Sequence, residues 1–176
     1  MTPSPTASGA GGGLRLRSLV AVERDRAVPV LRDGFVGVYR WHAKRKLREV
    51  ALVRAASLGE DLVGVTLLDR LAPGVGYVYY LSVLATYRGR GIGGRLLDDA
   101  LERVREDGGV VVYAAVLAGN APSRRLFAGR GFREVARKER SWQDGGLGAW
   151  GLRSRMRLVS GERLLGRRLP VPDLGP

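Results

Sequence analysis

The 176-residue chain contains no cysteine, which excludes disulfides, thiolate metal sites and a cysteine nucleophile. Its single histidine, His42, also excludes a multi-histidine metal centre, and no metal is expected. A Ser-His-Asp triad would have to use His42, and no G-x-S-x-G elbow accompanies it. Lying beside Trp41 and a K-R-K run, His42 reads as a surface or boundary residue. No apolar run approaches the roughly 18 residues that a membrane span needs. The opening stretch, MTPSPTASGAGGG, lacks the basic start and apolar centre of a signal peptide and reads as a disordered leader. Lysine is scarce as well, occurring only at Lys44, Lys46 and Lys138.

Arginine therefore carries most of the formal charge of +13 and the pI near 11.2. Such a balance suits an anionic partner or substrate. The arginines are spread along the whole chain, however, and a bias of that kind does not by itself indicate nucleic acid. Hydrophobic content of 45% and mean hydropathy of −0.08 fit one globular, cytoplasmic domain. The expected organisation is a leader over 1–13, a domain over 14–159 and a C-terminal tail over 160–176.

Along the chain, LRLRSLV (14–20) alternates as a first strand. From Glu23 to Glu49 apolar residues recur at spacings of three and four, interrupted at Pro29 and Gly34, which predicts two short helices. EVALVRAA, LVGVTLLDRL and YVYYLSVL (77–84) are β-rich runs joined by short turns, so they must be antiparallel neighbours. GIGGRLLDDALERVREDGG then carries one apolar stripe of Ile92, Leu96, Leu97, Ala100, Leu101 and Val104. VVVYAAVL (110–117) is a buried strand, expected to run parallel to 77–84 because a helix separates them. Asn120 and Pro122 open a short helix closed by Gly129 to Gly131. REVARKERSW and LGAWGLRSRMRLV flank QDGG as a predicted hairpin, and SGERLLGRRLPVPDLGP reads as an arm or frayed tail. The fold class is α+β, a mixed sheet of about six to seven strands with helices on both faces.

Residues 87–97, YRGRGIGGRLL, spell G-x-G-x-x-G. A dinucleotide-binding reading fails, because the loop follows an antiparallel meander and the next strand ends in AAVLAGN without a carboxylate. A Walker loop fails because no G-K-[ST] follows. What is left is a glycine-lined helix N-terminus whose bare amides and dipole suit a phosphate, with Arg88, Arg90 and Arg95 adding charge.

YLSVLATYRGRGIGGRLLDDAL resembles the acetyl-CoA-binding segment of the GNAT superfamily of N-acetyltransferases. The family signature Q/R-x-x-G-x-G/A is met by Arg88, Gly91 and Gly93. NAPSRRLFAGRGF resembles the family's second motif, met by Asn120, Gly131 and Phe132. The resemblance spans roughly residues 14–159. It implies that Leu81, Ser82 and Val83 hold the pantetheine arm, and that a strand N–H, that of Leu81, polarises the thioester carbonyl and stabilises the oxyanion. It implies a pyrophosphate site over Arg88, Gly89, Arg90, Gly91, Ile92, Gly93 and Gly94, with Asn120, Ser123, Arg124 and Phe127 on the cofactor side of the cleft. The Ser82 hydroxyl is read as structural.

Two positions depart from the family pattern. Phe127 stands where many members place a tyrosine that protonates the leaving thiolate, and Tyr77 stands where some members carry a glutamate base. No general base is assigned; Glu49 and Asp69 read as solvated carboxylates at strand ends. Trp41, His42, Trp142 and Trp150 with the surrounding arginines would favour an anionic amine, on a small molecule or a protein. Exposed strand edges and the C-terminal arm are consistent with a homodimer. The alternatives are an acyl-CoA-binding protein without catalysis and a basic nucleic-acid binder.

Overall fold

The computed structural model describes residues 13–135, 156 and 160–170. Strands β1 (Arg15–Ser18), β2 (Leu52–Leu58), β3 (Asp61–Ala72), β4 (Val75–Val83), β5 (Val111–Leu117), β6 (Arg133–Glu134) and β7 (Glu162–Arg168) form one seven-stranded sheet in the order β1-β2-β3-β4-β5-β7-β6. The β2-β3-β4 meander is antiparallel, as its short turns require, and β4 and β5 run parallel across an intervening helix.

Among the described residues the sheet is covered by α1 (Val28–Gly34), α2 (Gly37–Glu49), α3 (Ile92–Glu106) and α4 (Ala121–Ala128). Pro29 does not interrupt a helix. A 3-10 segment over Ala21–Ala27 runs directly into α1, and Pro29 lies in the first turn of α1, where a missing N–H costs nothing. The break comes after Gly34, where Phe35 is extended. On one face, Val30 and Leu31 of α1 with Ala43 and Leu47 of α2 pack on Val53, Ala55, Val65, Leu67 and Tyr80. On the other, Leu97, Ala100, Leu101 and Val104 of α3 pack with Phe127 of α4 on Leu68, Val78, Val112 and Ala114. The predicted stripe of α3 is thus the buried one. Full burial of Leu96 and Leu97 contributes about 1.5–3 kcal/mol each.

Arg54 pins α3 to the sheet. It is 5% exposed, its Nε and Nη2 donate to Asp99 of α3 at 2.6 and 2.7 Å, and its Nη1 donates to Ser18 Oγ at 2.8 Å. A bidentate pair that dry fixes the helix axis more through its geometry than through net energy.

The segment expected to be a tail is a correction. Glu162–Arg168 forms β7, which pairs along the whole of β5 and lies inside the sheet between β5 and β6. The backbone groups of β5 on the side away from β4 need partners, and this segment supplies them. Most of the predicted hairpin, with Trp142 and Trp150, lies outside the described residues, as does most of the predicted leader.

Candidate active site

Strands β4 and β5 separate halfway along. They pair only from Val75 with Val111 to Val78 with Ala114. In the β3–β4 ladder Leu67 faces Tyr80 while Leu68 faces Val78, so Tyr79 is an extra residue in β4. Such a bulge bends and twists its strand. It falls at the point where pairing with β5 stops, while β5 stays with β7 to its end at Leu117. The resulting wedge is a cleft of about 460 Å³ whose walls come from β4, β5, α4 and the α1–α2 connection.

The ladder also fixes which peptide groups face the wedge. The Leu84 N–H donates to Val63 O at 2.9 Å. Alternation along an antiparallel pair then makes Val65 with Ser82, and Leu67 with Tyr80, the residues that exchange hydrogen bonds. The N–H and C=O groups of Leu81 and Val83 accordingly point away from β3, towards the side β5 has left. The Val83 carbonyl accepts from Arg88 Nε at 2.9 Å. Leu81 presents its peptide group to the cleft, which its residue also lines.

Beyond β4 the chain forms the glycine loop. None of the backbone N–H groups from Gly89 to Gly94 has a partner among the described residues. Gly89 and Gly91 hold φ values of +77° and +76°, a conformation costly for any residue with a Cβ. Gly91 caps α3 without any side-chain bond. Successive bare amides ahead of a fifteen-residue helix form an anion cradle. The arginines divide their work. Arg88 Nη2 is 2.8 Å from Asp33 Oδ2, and its own N–H donates to Ala85 O, so it braces the loop against α1. Arg90 lies with its guanidinium 5.2 Å from the Tyr87 ring centre, Nη2 donating to Thr86 O. Gly94 serves packing: a Cβ there would lie 2.0 Å from Arg130 Nη2.

On α4, the Asn120 side chain accepts from the Ser123 N–H and caps the helix. Asn120, Ser123, Leu126 and Phe127 line the cleft. Phe127 is buried edge-on against Phe132 with ring centres 4.9 Å apart. Arg124 turns back to Ala118 O and is not part of the lining. The Ser82 hydroxyl donates to Val30 O on the opposite face of the strand, in agreement with the structural role expected of it.

At the far end of the cleft the structure gathers a group of polar side chains, of which sequence reasoning missed Tyr39 and Glu162. Tyr39 and His42 of α2, Tyr77, Tyr79 and Tyr80 of β4 and Glu162 of β7 all line it. His42 is half-buried, at the boundary of the core, with Nδ1 2.6 Å from Tyr80 Oη. Phe35 holds the Tyr80 ring edge-on at 4.8 Å. Burial first, and then the Glu162 charge, push the Tyr77 and Tyr80 phenols far above the usual tyrosine range. Tyr39 is raised as well, by burial first and then by the nearby Glu162 carboxylate. Glu162 is the one carboxylate of the described lining, which contains no lysine or arginine. Trp41 stands exposed at the rim. Glu49 pairs with Arg45 and Lys46 and Asp69 holds backbone N–H groups, so both lie apart from this chemistry. No three His, Asp or Glu side chains gather as a metal site among the described residues.

Residues 16–132 match the family model described as Acetyltransferase (GNAT) family. The chain is 31% identical over 143 residues to the N-alpha-acetyltransferase RimI of Mycobacterium tuberculosis, covering 77% of this chain and 89% of that protein. Among solved structures it resembles Ard1 from Thermoplasma volcanium, with a TM-score of 0.68 at 16% identity over 89% of this chain and 98% of that one. It also resembles a Bacillus subtilis acetyltransferase in complex with CoA, with a TM-score of 0.67 at 17% identity over 90% of this chain and 100% of the other.

Proposed function

The chain belongs to the GNAT family of acetyltransferases, and from that premise we propose that it moves the acetyl group of acetyl-CoA onto the α-amine of a polypeptide by direct attack in the cleft between β4 and β5. The observation that carries this reading is the Leu81 peptide group turned off the β3 ladder into the wedge, just ahead of a loop whose amides from Gly89 to Gly94 are all unpartnered.

In this reading the pyrophosphate rests on the amides of Gly89, Arg90, Gly91, Ile92, Gly93 and Gly94, with Arg88 as the loop's brace. The pantetheine arm lies along Leu81 and Val83, walled by Ser123, Leu126 and Phe127 of α4. The Leu81 N–H donates to the thioester carbonyl oxygen and holds the charge that develops there, a fixed donor that needs no reorganisation during reaction. Phe127 has no proton to give, so the thiolate leaves without a side-chain acid from α4.

The polypeptide α-amine is favoured by the similarity to an N-alpha-acetyltransferase and by the charge of the cleft. Glu162 and the tyrosine hydroxyls suit a cationic ammonium, which replaces the anionic acceptor expected from the arginine-rich sequence. Isothermal titration of acetyl-CoA, followed by a thiol-release screen of free-N-terminus peptides against small amines, tests the reading. Micromolar binding with turnover on peptides is the expected result. Binding without turnover on any amine would leave a CoA-binding protein, and absence of binding would remove the site assignment.

A further inference from the structure

An α-ammonium must lose a proton before it can attack, and the cleft holds a pair of groups arranged to take it. We propose that Tyr80 and His42 form the proton exit of this active site: the phenol meets the acceptor amine, and the imidazole receives the proton through it. The inference rests on the assignment of the cleft as the site of acetyl transfer.

The geometry is short and directional. His42 Nδ1 and Tyr80 Oη are 2.6 Å apart, on different layers of the fold, and both residues line the cleft. Tyr80 precedes Leu81, the residue whose peptide group faces the thioester position. Phe35 packs edge-on against the Tyr80 ring at 4.8 Å between centres. The tyrosine O–H donates to Nδ1, which places the proton of neutral His42 on Nε2. When the ammonium transfers a proton to Tyr80 Oη, the original phenolic proton passes to Nδ1. One N–H bond of the amine breaks, one forms on the imidazole, and the tyrosine ends as it began. His42 then carries the positive charge and returns its proton to water at the mouth of the cleft. A tyrosinate never forms, and that matters because burial and the Glu162 charge make it costly here.

The groups facing this pair are Tyr39 and Lys46 on α2, Tyr79 on β4 and Glu162 on β7. Lys46 sits over the Tyr79 ring, 4.6 Å from its centre, while α1 presents no charged side chain to the cleft. Glu162 holds the ammonium before transfer and offsets the imidazolium after it. The relay also sets a preference among amines. An α-amine, with an ordinary pKa of about 7.7–8.0, lies little more than one unit above imidazole at about 6.5. A lysine ε-amine at about 10.4 lies nearly four units above it, so the relay favours polypeptide termini over lysine side chains.

Because the chain has one histidine, its imidazole gives a single set of NMR signals, and the pair can be followed without any acceptor. The experiment records the 15N tautomer of His42 in wild type and Tyr80→Phe, together with acetyl-CoA affinity and the pH profile of kcat/KM on a free-N-terminus peptide for wild type, Tyr80→Phe and His42→Gln. Wild type should show the Nε2–H tautomer, and Tyr80→Phe a mixture. Both variants should bind acetyl-CoA as wild type does, while kcat/KM at neutral pH falls roughly 100-fold. In His42→Gln the rising limb should follow the acceptor amine itself, at about 7.7–8.0, instead of the His42 titration. A proton found on Nδ1, or kcat/KM within threefold of wild type in His42→Gln, would overturn the relay while leaving the site in place. Failure of wild type to bind acetyl-CoA would instead remove the site on which the relay depends.

Discussion

Asp33 holds Arg88 away from the loop it introduces: its Oδ2 lies 2.8 Å from Arg88 Nη2 and accepts the Ala85 N–H at 2.9 Å. The first residue of the six-residue signature thus acts on the cradle from outside it. Asp33→Asn and Arg88→Ala should each weaken acetyl-CoA binding by about fivefold or less, the scale of a partly exposed ion pair. The double variant should be no worse than the weaker single one. A direct phosphate contact by Arg88 would show as a far larger loss in Arg88→Ala alone, since a charge-assisted bond contributes about 1.5–3 kcal/mol. Calorimetric titration of the four proteins separates the two cases.

Gly91→Ala tests the loop's backbone. Nothing lies within 4 Å of the added Cβ, so strain at φ +76° is the whole cost, about 1–2 kcal/mol. Gly93→Ala meets only ordinary contacts, at 3.6 Å from Leu126 and Leu81 side chains. Urea denaturation should therefore show Gly91→Ala destabilised by about that amount and Gly93→Ala near wild type. Affinity for acetyl-CoA should fall in Gly91→Ala, as the amides lose their alignment.

Glu162→Gln should raise KM for a peptide acceptor about tenfold, the effect of losing one charge-assisted hydrogen bond to an ammonium. Acetyl-CoA affinity should not change, because Glu162 stands at the far end of the cleft from the glycine loop. Steady-state kinetics with each substrate varied in turn provides the check.

Thr66 is fully buried and its Oγ1 has no hydrogen-bond partner. Thr66→Val keeps the shape, suits a central strand and removes the stranded hydroxyl. A gain of about 1 kcal/mol is expected, read as a higher urea midpoint with an unchanged slope.

Tyr77 and Tyr80 have raised folded-state values, burial being the first cause in both. For an acid shifted upwards, the folded state favours the neutral form. Their contribution to stability is therefore complete below the unfolded value of about 10 and is lost as pH rises above it. Alkaline titration should show tyrosinate absorbance from these residues appearing together with loss of the far-ultraviolet circular dichroism. Ionisation of all six tyrosines in an intact fold would contradict this.

The sequence determined what depends on neighbours a few residues apart. The apolar stripe of α3 follows from a 3.6-residue period, and the antiparallel meander from turns too short for a crossover. The cradle follows from glycines placed where a helix begins, and Asn120 declares itself as a cap before Pro122. Tertiary structure alone decided what depends on contacts across the sheet. The segment from Ser160 onwards, broken by glycine and proline and rich in arginine, has no strand pattern of its own. It becomes β7 because β5 offers it an unpaired edge and because Gly166, where a Cβ would lie 2.8 Å from Tyr113, lets the two strands close. Only that pairing brings Glu162 into the cleft. Likewise His42 and Tyr80, 38 residues apart in the chain, meet because α2 packs over the strand that the Tyr79 bulge bends. Local periodicity specifies the elements and their order, whereas the end of the cleft that holds His42, Tyr80 and Glu162 is built from side chains on three separate elements whose contact no local pattern encodes.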